Sequence, residues 1–408
     1  MQNKINPLDE AQLSKENIVP IYYVTNREAW GEGQSKYRFY KNKRVRGLNV
    51  GQAYVQYGKE GTTWQELKDF ILTEKKRPNY RLRVISVDEY GQLNFAKQRW
   101  DPDRLNPEKS QVDQRLIKEI NEKLSGSKNK NITIFVHGIN VPFEDPVLVS
   151  AQLAFYGGFD GVAIAFSWPS SQRILGYLAD VEQTQYAARY LSFLILFLSK
   201  STDVEKINII AHSAGSRVLA RSLTDLSLLA GFESDRDKNL SDFKVGNVAF
   251  AGGDLSRDVM GMYIEYGMIE VSKKVVIYFS QTDKALGMSH WLWKQGRIGD
   301  FDFSKAKVDM DQNALDYIKS VTNFELIDAT GTPGSTKNYG HIYFLDSQWV
   351  SSDIMLFLKT DLSPGKRGLI LDDESGFIWK FPKDYKTKTI YQELKRQIHK
   401  LTPDLTNI

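Results

Sequence analysis

The sequence predicts an α/β fold: a mostly parallel central sheet with helices on both faces, plus a β-rich N-terminal extension. Three observations predict it. From about residue 110 onward, short apolar runs alternate with longer stretches at helical spacing. That alternation builds a parallel sheet covered by helices. The apolar runs lack an in–out alternation, as strands buried on both faces do. The first hundred residues differ, with β-branched and aromatic runs set between polar breaks. The 408 residues, 41% hydrophobic and 25% charged, suffice for one large α/β domain with additions. The expected organisation is an N-terminal extension over 1–108 packed on the core, the α/β domain over 109–358, and a C-terminal hairpin and helix over 359–408 belonging to the same unit.

The elements follow in order. Residues 19–24 (VPIYYV), 52–57 (QAYVQY) and 81–87 (RLRVISV) have the composition of strands. Residues 108–124 read as a helix, with Val112, Ile117, Ile120 and Leu124 at helical spacing. The run 125–131 (SGSKNKN) is a loop. Buried strands are then expected at 132–136 (ITIFV), 162–166 (VAIAF), 207–211, 247–251 (NVAFA) and 274–280, with helices at 146–155, 177–200 and 218–229 between them. Near the end, 369–372 and 376–381 read as a hairpin turned at 373–375, and 391–400 as a short basic helix. In such a sheet, ligands sit at the carboxyl ends of the strands.

Composition excludes several classes. A formal charge of +4 on this length offers no concentrated basic face, so no nucleic-acid partner is expected. Two local clusters, Lys41–Arg46 and Lys75–Arg77, read first as solvated surface, the other reading being a patch for anionic lipid or an acidic partner. The chain has no cysteine, which excludes disulfides, thiol catalysis and cysteine metal sites. The start has no apolar core of a signal peptide. The longest apolar run, LSFLILFL at 191–198, is far short of the roughly 20 residues that span a bilayer, and reads as a buried helix. A soluble protein is expected, cytoplasmic or an exported form lacking its targeting segment. Peripheral membrane contact and oligomeric state stay open.

The stretch INIIAHSAGSRVLA at 207–220 passes from strand to helix through His-Ser-Ala-Gly. A serine at the sharpest point of such a turn needs small neighbours, because the backbone there is strained and crowded. The usual pattern is G-x-S-x-G, and here it is Ala211-His212-Ser213-Ala214-Gly215, with alanine in the first position. Ser213 is the candidate nucleophile. The positive end of the following helix and the Ala214 N–H favour an oxyanion. The competing reading is an ordinary turn in which Ser213 caps the helix.

The first buried strand leads into His137-Gly138-Ile139-Asn140. In hydrolases with such an elbow a second oxyanion donor comes from this kind of loop, so Ile139 joins Ala214 in the expected oxyanion hole. Asn140 is a second donor or a shaper of the loop, and His137 braces it. An acid and then a histidine should follow the serine in chain order. Asp283, just past a late strand, is favoured over Asp254 at the end of the preceding one. Of the five histidines, His341 is favoured as base over His290. His212 neighbours the nucleophile, and its ring is expected to point away. His341 would act as general base toward Ser213 and then as general acid.

Trp168 and Pro169 end the second buried strand and, with Tyr177, form a candidate acyl-pocket wall, against the alternative of plain core packing. The aromatic stretch 289–303 reads as a lid or a packed surface loop.

Taken together, FVHGIN, AFSWPS, the Tyr177-to-Asp180 spacing, AHSAGSRVL, FSQTDKAL and GHIYFLD resemble the α/β-hydrolase superfamily, and more narrowly its bacterial esterase/lipase-like branch, domain of unknown function 900. The resemblance covers about 130–358, with a weaker echo at 19–27 (VPIYYVTNR). It implies a serine hydrolase with Ser213, Asp283 and His341 as triad, and names no substrate. Ala214 and Ser216 stand where methionine and asparagine are frequent.

The leading expectation is therefore a carboxylic-ester hydrolase acting on a small-molecule or lipid ester, without metal or organic cofactor. His137, Asn140, Trp168 and Tyr177 are its expected substrate-side residues. The alternative is a non-catalytic binding or scaffold protein on the same fold. Neither a G-x-x-x-x-G-K-[ST] nor a G-x-G-x-x-G turn is present, which argues against nucleotide binding.

Overall fold

A computed structural model of the chain describes residues 4–5, 17–30, 39–63, 66, 81–94, 110–171, 176–232, 235–286, 296–300, 316 and 319–385. It has a mostly parallel sheet with helices, and antiparallel strands in its N-terminal region. By internal contacts the chain forms two units. One comprises Met1–Phe135, Ile139–Gln183 and Leu196–Glu205, and the other Val136–Gly138, Thr184–Ile195 and Lys206–Ile408.

In the first unit, the strands are β1 (Lys4–Ile5), β2 (Ile18–Ala29), β3 (Tyr40–Tyr57), β4 (Leu82–Gln92), β5 (Asn131–Val136) and β6 (Val162–Ser167). Their order is β1-β4-β3-β2-β6-β5. β2 runs antiparallel to β3 but parallel to β6, pairing Tyr22 with Ile164 and Thr25 with Ser167. The N-terminal strands are thus hydrogen-bonded into the same sheet as the first core strands. Side chains alternate between the two faces along β2. Val19, Ile21 and Tyr23 enter one apolar cluster with Phe143, Val147 and Ala151. The last three lie at and after the start of helix α2 (Glu144–Tyr156). Tyr22 faces the other way, where burial and the nearby Glu119 push its phenol up to about 12.

Glu119 belongs to α1 (Gln111–Ser125), which Ser110 and Asp113 open as a capping box. Glu119 accepts from the Tyr90 hydroxyl of β4, and Arg115 bridges Asp88 at 2.7 Å while lying over the Tyr90 ring. Of the first basic cluster, Lys41 and Lys43 both pair with Glu28, at 2.7 and 2.8 Å. The second basic cluster lies outside the described residues.

Helix α3 (Tyr177–Ser201) carries the long apolar run, and Leu191, Leu194, Ile195 and Leu198 are fully buried in it. Among the described residues, no helix is long and apolar enough to cross a membrane.

In the second unit, the strands are β7 (Lys206–His212), β8 (Val245–Ala251), β9 (Lys274–Phe279), β10 (Phe324–Asp328), β11 (Ile370–Leu371) and β12 (Ile378–Lys380). The order is β7-β8-β9-β10-β12-β11, parallel except for β11. β10 is a strand that the hydropathy pattern did not flag. Its five residues hold only Leu326 and Ile327 as fully apolar inward positions, and β9 and β12 supply its partners. The C-terminal hairpin forms as expected, turned where Asp372 accepts from the N–H groups of Ser375 and Gly376. The proposed helix at 391–400 lies outside the described residues. Helices α4 (Gly215–Gly231), α5 (Arg236–Asp242), α6 (Arg257–Glu265) and α7 (Gln348–Lys359) complete the unit.

Below the strand ends is a buried ionic network. Arg367 donates to Asp353 at 2.9 Å and Glu325 at 2.8 Å, and Tyr278 donates to Asp353 at 2.6 Å. Both acids accept from one guanidinium, and the phenol donates to one of those acids, the arrangement a buried charge requires.

Candidate active site

β7 ends at His212 and α4 starts at Gly215, leaving Ser213 and Ala214 to make the turn. Ser213 has φ 53°, in the left-handed region that L-residues avoid. Three bonds hold it there. Its N–H donates to the Ala251 oxygen at 3.1 Å, and its carbonyl accepts from Ser216 and Asp254, both at 3.0 Å. The small neighbours have a direct cause. A Cβ on Gly215 would stand 2.5 Å from the Val136 oxygen and 2.6 Å from that of His137, and a Cβ on Gly138 would stand 2.8 Å from Ser213 Cβ. The N-cap of α4 is Ala214 and not Ser213, and it makes no side-chain cap bond.

Asp283 lies four residues past β9 and is held through both oxygens. Oδ1 accepts from the N–H groups of Ala285 and Leu286, both at 3.1 Å, and Oδ2 lies 2.8 Å from His341 Nδ1. The carboxylate therefore caps a short helical turn and holds an imidazole at once. A carboxylate oxygen accepts, so the proton of that imidazole is on Nδ1 and Nε2 is the basic nitrogen.

The rival acid Asp254 is engaged elsewhere. Arg297 Nε and Arg217 Nη2 approach its Oδ1 at 3.3 and 3.6 Å. The rival base His290 lies outside the described residues, as does most of the aromatic stretch 289–303.

His341 follows a strained loop. Asn338, Tyr339 and Gly340 have φ of 46°, 62° and 73°. Gly340 is required there twice over, since a Cβ would also meet the Thr282 oxygen at 2.5 Å. Strain of this kind persists where surrounding contacts over-determine the chain. Those contacts include Tyr343, whose hydroxyl accepts from Gly252 N–H at 2.8 Å and donates to the Tyr278 oxygen at 2.7 Å. Gly252 touches both halves of the dyad: a Cβ on it would lie 3.4 Å from Asp283 Oδ2 and 3.4 Å from the His341 oxygen. Among the described residues no hydrogen bond joins Ser213 Oγ to the His341 ring, and in unliganded sites such bonds often tighten only when substrate binds.

His212 departs from expectation. Its ring does not turn away from the site but packs against the His341 ring, centroids 4.7 Å apart, with Phe344 at 4.8 Å. Its Nε2 lies 3.1 Å from the His341 main-chain oxygen. Burial, with the His341 ring adding to it, lowers its pKa to about 3. His212, Tyr343 and Gly252 were not readable as site residues, because their partners are 65 to 129 positions distant and no local pattern marks them.

The second unit thus brings together Ser213, Ala214, Asp283 and His341, with His137 and Gly138. His137 is buried and its Nδ1 lies 2.6 Å from the Gly138 oxygen, which braces the turn.

The other expected residues belong to the first unit. Ile139 is half-buried, and Asn140 is exposed with φ 58°. Trp168 is fully buried, and Tyr177 half-buried at the first residue of α3. The loop after Asn140 is tied down from several sides. Ser170 Oγ lies 3.2 Å from both the N–H and the oxygen of Val141, and Arg27 Nη2 donates to that oxygen at 2.8 Å. Arg27 is the arginine of the VTNR stretch. Burial lowers its pKa to about 9, with Glu144, Asp145 and Asp180 opposing the fall. Asp180 accepts from Ser171 N–H at 2.7 Å, and burial raises it to about 6.

Among the described residues, no group of three or more His, Asp or Glu is arranged to hold a metal ion.

Residues 113–357, more than half of the chain, match the family model described as alpha/beta hydrolase of unknown function (DUF900). No curated protein matches. Among solved structures, the chain is similar to the Tle1 effector bound to the VgrG spike from the Type 6 secretion system, at 12% identity and a TM-score of 0.19. The match covers 38% of this chain and 46% of that one, so the chain spans less than half the length of that protein.

Proposed function

We propose that this chain, which belongs to the alpha/beta hydrolase family of unknown function, is a serine hydrolase that cleaves carboxylic esters through an acyl-enzyme. One observation supports the reading above the others. A serine held at φ 53° between strand and helix shares its unit with an imidazole whose Nδ1 is 2.8 Å from a buried carboxylate.

The chemistry follows from those positions. Ser213 Oγ attacks the acyl carbonyl carbon, and His341 Nε2 takes the hydroxyl proton. Asp283, fixed by two backbone N–H groups, holds the ring in the Nδ1–H tautomer and stabilises the imidazolium. The carbonyl oxygen becomes an oxyanion, and the N–H group of Ala214 is its proposed donor. Collapse breaks the bond to the alcohol oxygen, which takes the proton from His341. Water then attacks the acyl-enzyme by the same path, releasing the acid and free Ser213. His137, in the same unit, is proposed to shape the substrate side.

The test is labelling with a fluorescent fluorophosphonate beside an ester panel graded by acyl length. The wild-type chain should label and hydrolyse, and Ser213→Ala should do neither, with kcat lower by about 10³ or more. A folded wild-type chain that never labels, or a Ser213→Ala variant that hydrolyses every ester at the wild-type rate, overturns the reading in favour of a binding protein on this fold.

A further inference from the structure

His212 stands immediately before the nucleophile, and its side chain reaches the backbone of the residue read as the base. The His212 Nε2 to His341 oxygen distance is 3.1 Å. A carbonyl only accepts, so the His212 proton is on Nε2. The contact falls on the main chain of the base itself, in a strained stretch. His341 comes straight after three residues at positive φ, and its own N–H makes only a long bond, 3.4 Å to the Asn338 oxygen.

We propose that His212 is a positioning residue for the catalytic base: its Nε2–H on the His341 carbonyl, with its ring packed at a tilt against the His341 ring, sets the separation between nucleophile and base. This rests on the reading of Ser213 and His341 as nucleophile and base. One rigid imidazole then links the residue preceding the serine directly to the base, in place of a path around the fold through β8, β9 and the 338–340 loop. The neutral ring donates its Nε2–H without placing a charge beside the base. Among the described residues, the rings that face it are those of His341 and Phe344, with Asp283 beyond His341, so a charge on His212 would oppose the imidazolium that forms on His341.

Three variants test it on a short-chain p-nitrophenyl ester. His212→Phe keeps an aromatic ring and removes the donor. His212→Gln carries an amide nitrogen at the reach of Nε2, whereas His212→Asn has its amide nitrogen too short to bridge. The Phe and Asn variants should lose about 10- to 100-fold in kcat with KM within about 3-fold, the scale of a sub-ångström to 1 Å misplacement of a reacting group. The Gln variant should recover most of the loss. Equal kcat for Gln and Asn, or wild-type kcat in Phe, overturns the proposal, and the Gln–Asn comparison decides it even if Phe does not fold.

Ser213→Ala and His341→Ala run in parallel. If both hydrolyse the ester like wild type, the serine-hydrolase reading itself fails, and the His212 proposal with it. If both are inactive and the His212 variants do not separate, only the positioning proposal fails.

Discussion

Nδ1 of His341 and Oδ2 of Asp283 lie 2.8 Å apart although 58 residues separate them in the chain. The alternative carboxylate, Asp254, instead faces two guanidinium groups. The two acids therefore separate by mutation. Asp283→Asn should lower kcat by about 10³–10⁴ through the wrong imidazole tautomer, while leaving the unfolding midpoint close to wild type. Asp254→Asn should do the reverse, costing about 3 kcal/mol of stability because a buried ion pair loses one partner. Urea titration and ester kinetics on both proteins check this. A stable, inactive Asp254→Asn beside an active Asp283→Asn would exchange their roles.

Ser213 keeps a conformation that glycine adopts without steric cost. Ser213→Gly should be inactive yet more stable than wild type by about 0.5–1 kcal/mol, from release of left-handed strain. Ser213→Ala retains the Cβ and should gain nothing. Equal denaturation midpoints for the Gly and Ala variants would mean that the elbow stores no strain.

Gly138 leaves room for the serine. In Gly138→Ala the new methyl would start 2.8 Å from Ser213 Cβ and 3.2 Å from its Oγ. The serine has to move, and the rate of phosphonate labelling should fall by about 10² with secondary structure unchanged by circular dichroism. Labelling at the wild-type rate contradicts the close approach.

The His212 ring also carries a signature in stability against pH. Its pKa is near 6.5 when the chain is unfolded and about 3 when folded. The unfolded state therefore binds the extra proton between those values, and stability rises with pH there. The contribution is fully present above about pH 6.5 and is lost as pH falls toward 3, by up to about 1.4 kcal/mol per pH unit. Subtracting the His212→Gln profile from the wild-type profile isolates it. A flat difference between pH 4 and 6 would show that the folded ring titrates normally.

Much of this site was legible in the sequence because its signals are local. The small residues around Ser213 and the position of Asp283 beyond an apolar run follow from neighbours along the chain. The preference for Asp283 over Asp254 rested on its place beyond the later strand, and in space the two differ further: one carboxylate meets an imidazole and the other meets arginines. His212 shows the limit from the other side. Next to Ser213 a ring has two directions open to it, and the contact with the His341 main chain decides which it takes.

Strand content was readable for the same reason, since β7, β8 and β9 bury both faces and carry continuous apolar runs. β10 has too few apolar positions to declare itself and becomes a strand only through its hydrogen-bonding partners. The sequence by itself determined which segments must be covered on both faces and where a small-residue turn must fall, because side-chain hydrophobicity and backbone sterics act between near neighbours. The tertiary structure alone decided that β2 joins β6 in parallel, which acid holds His341, and where the His212 proton points. Those outcomes depend on hydrogen bonds between residues scores of positions apart, and only the packed chain brings such groups within 3 Å.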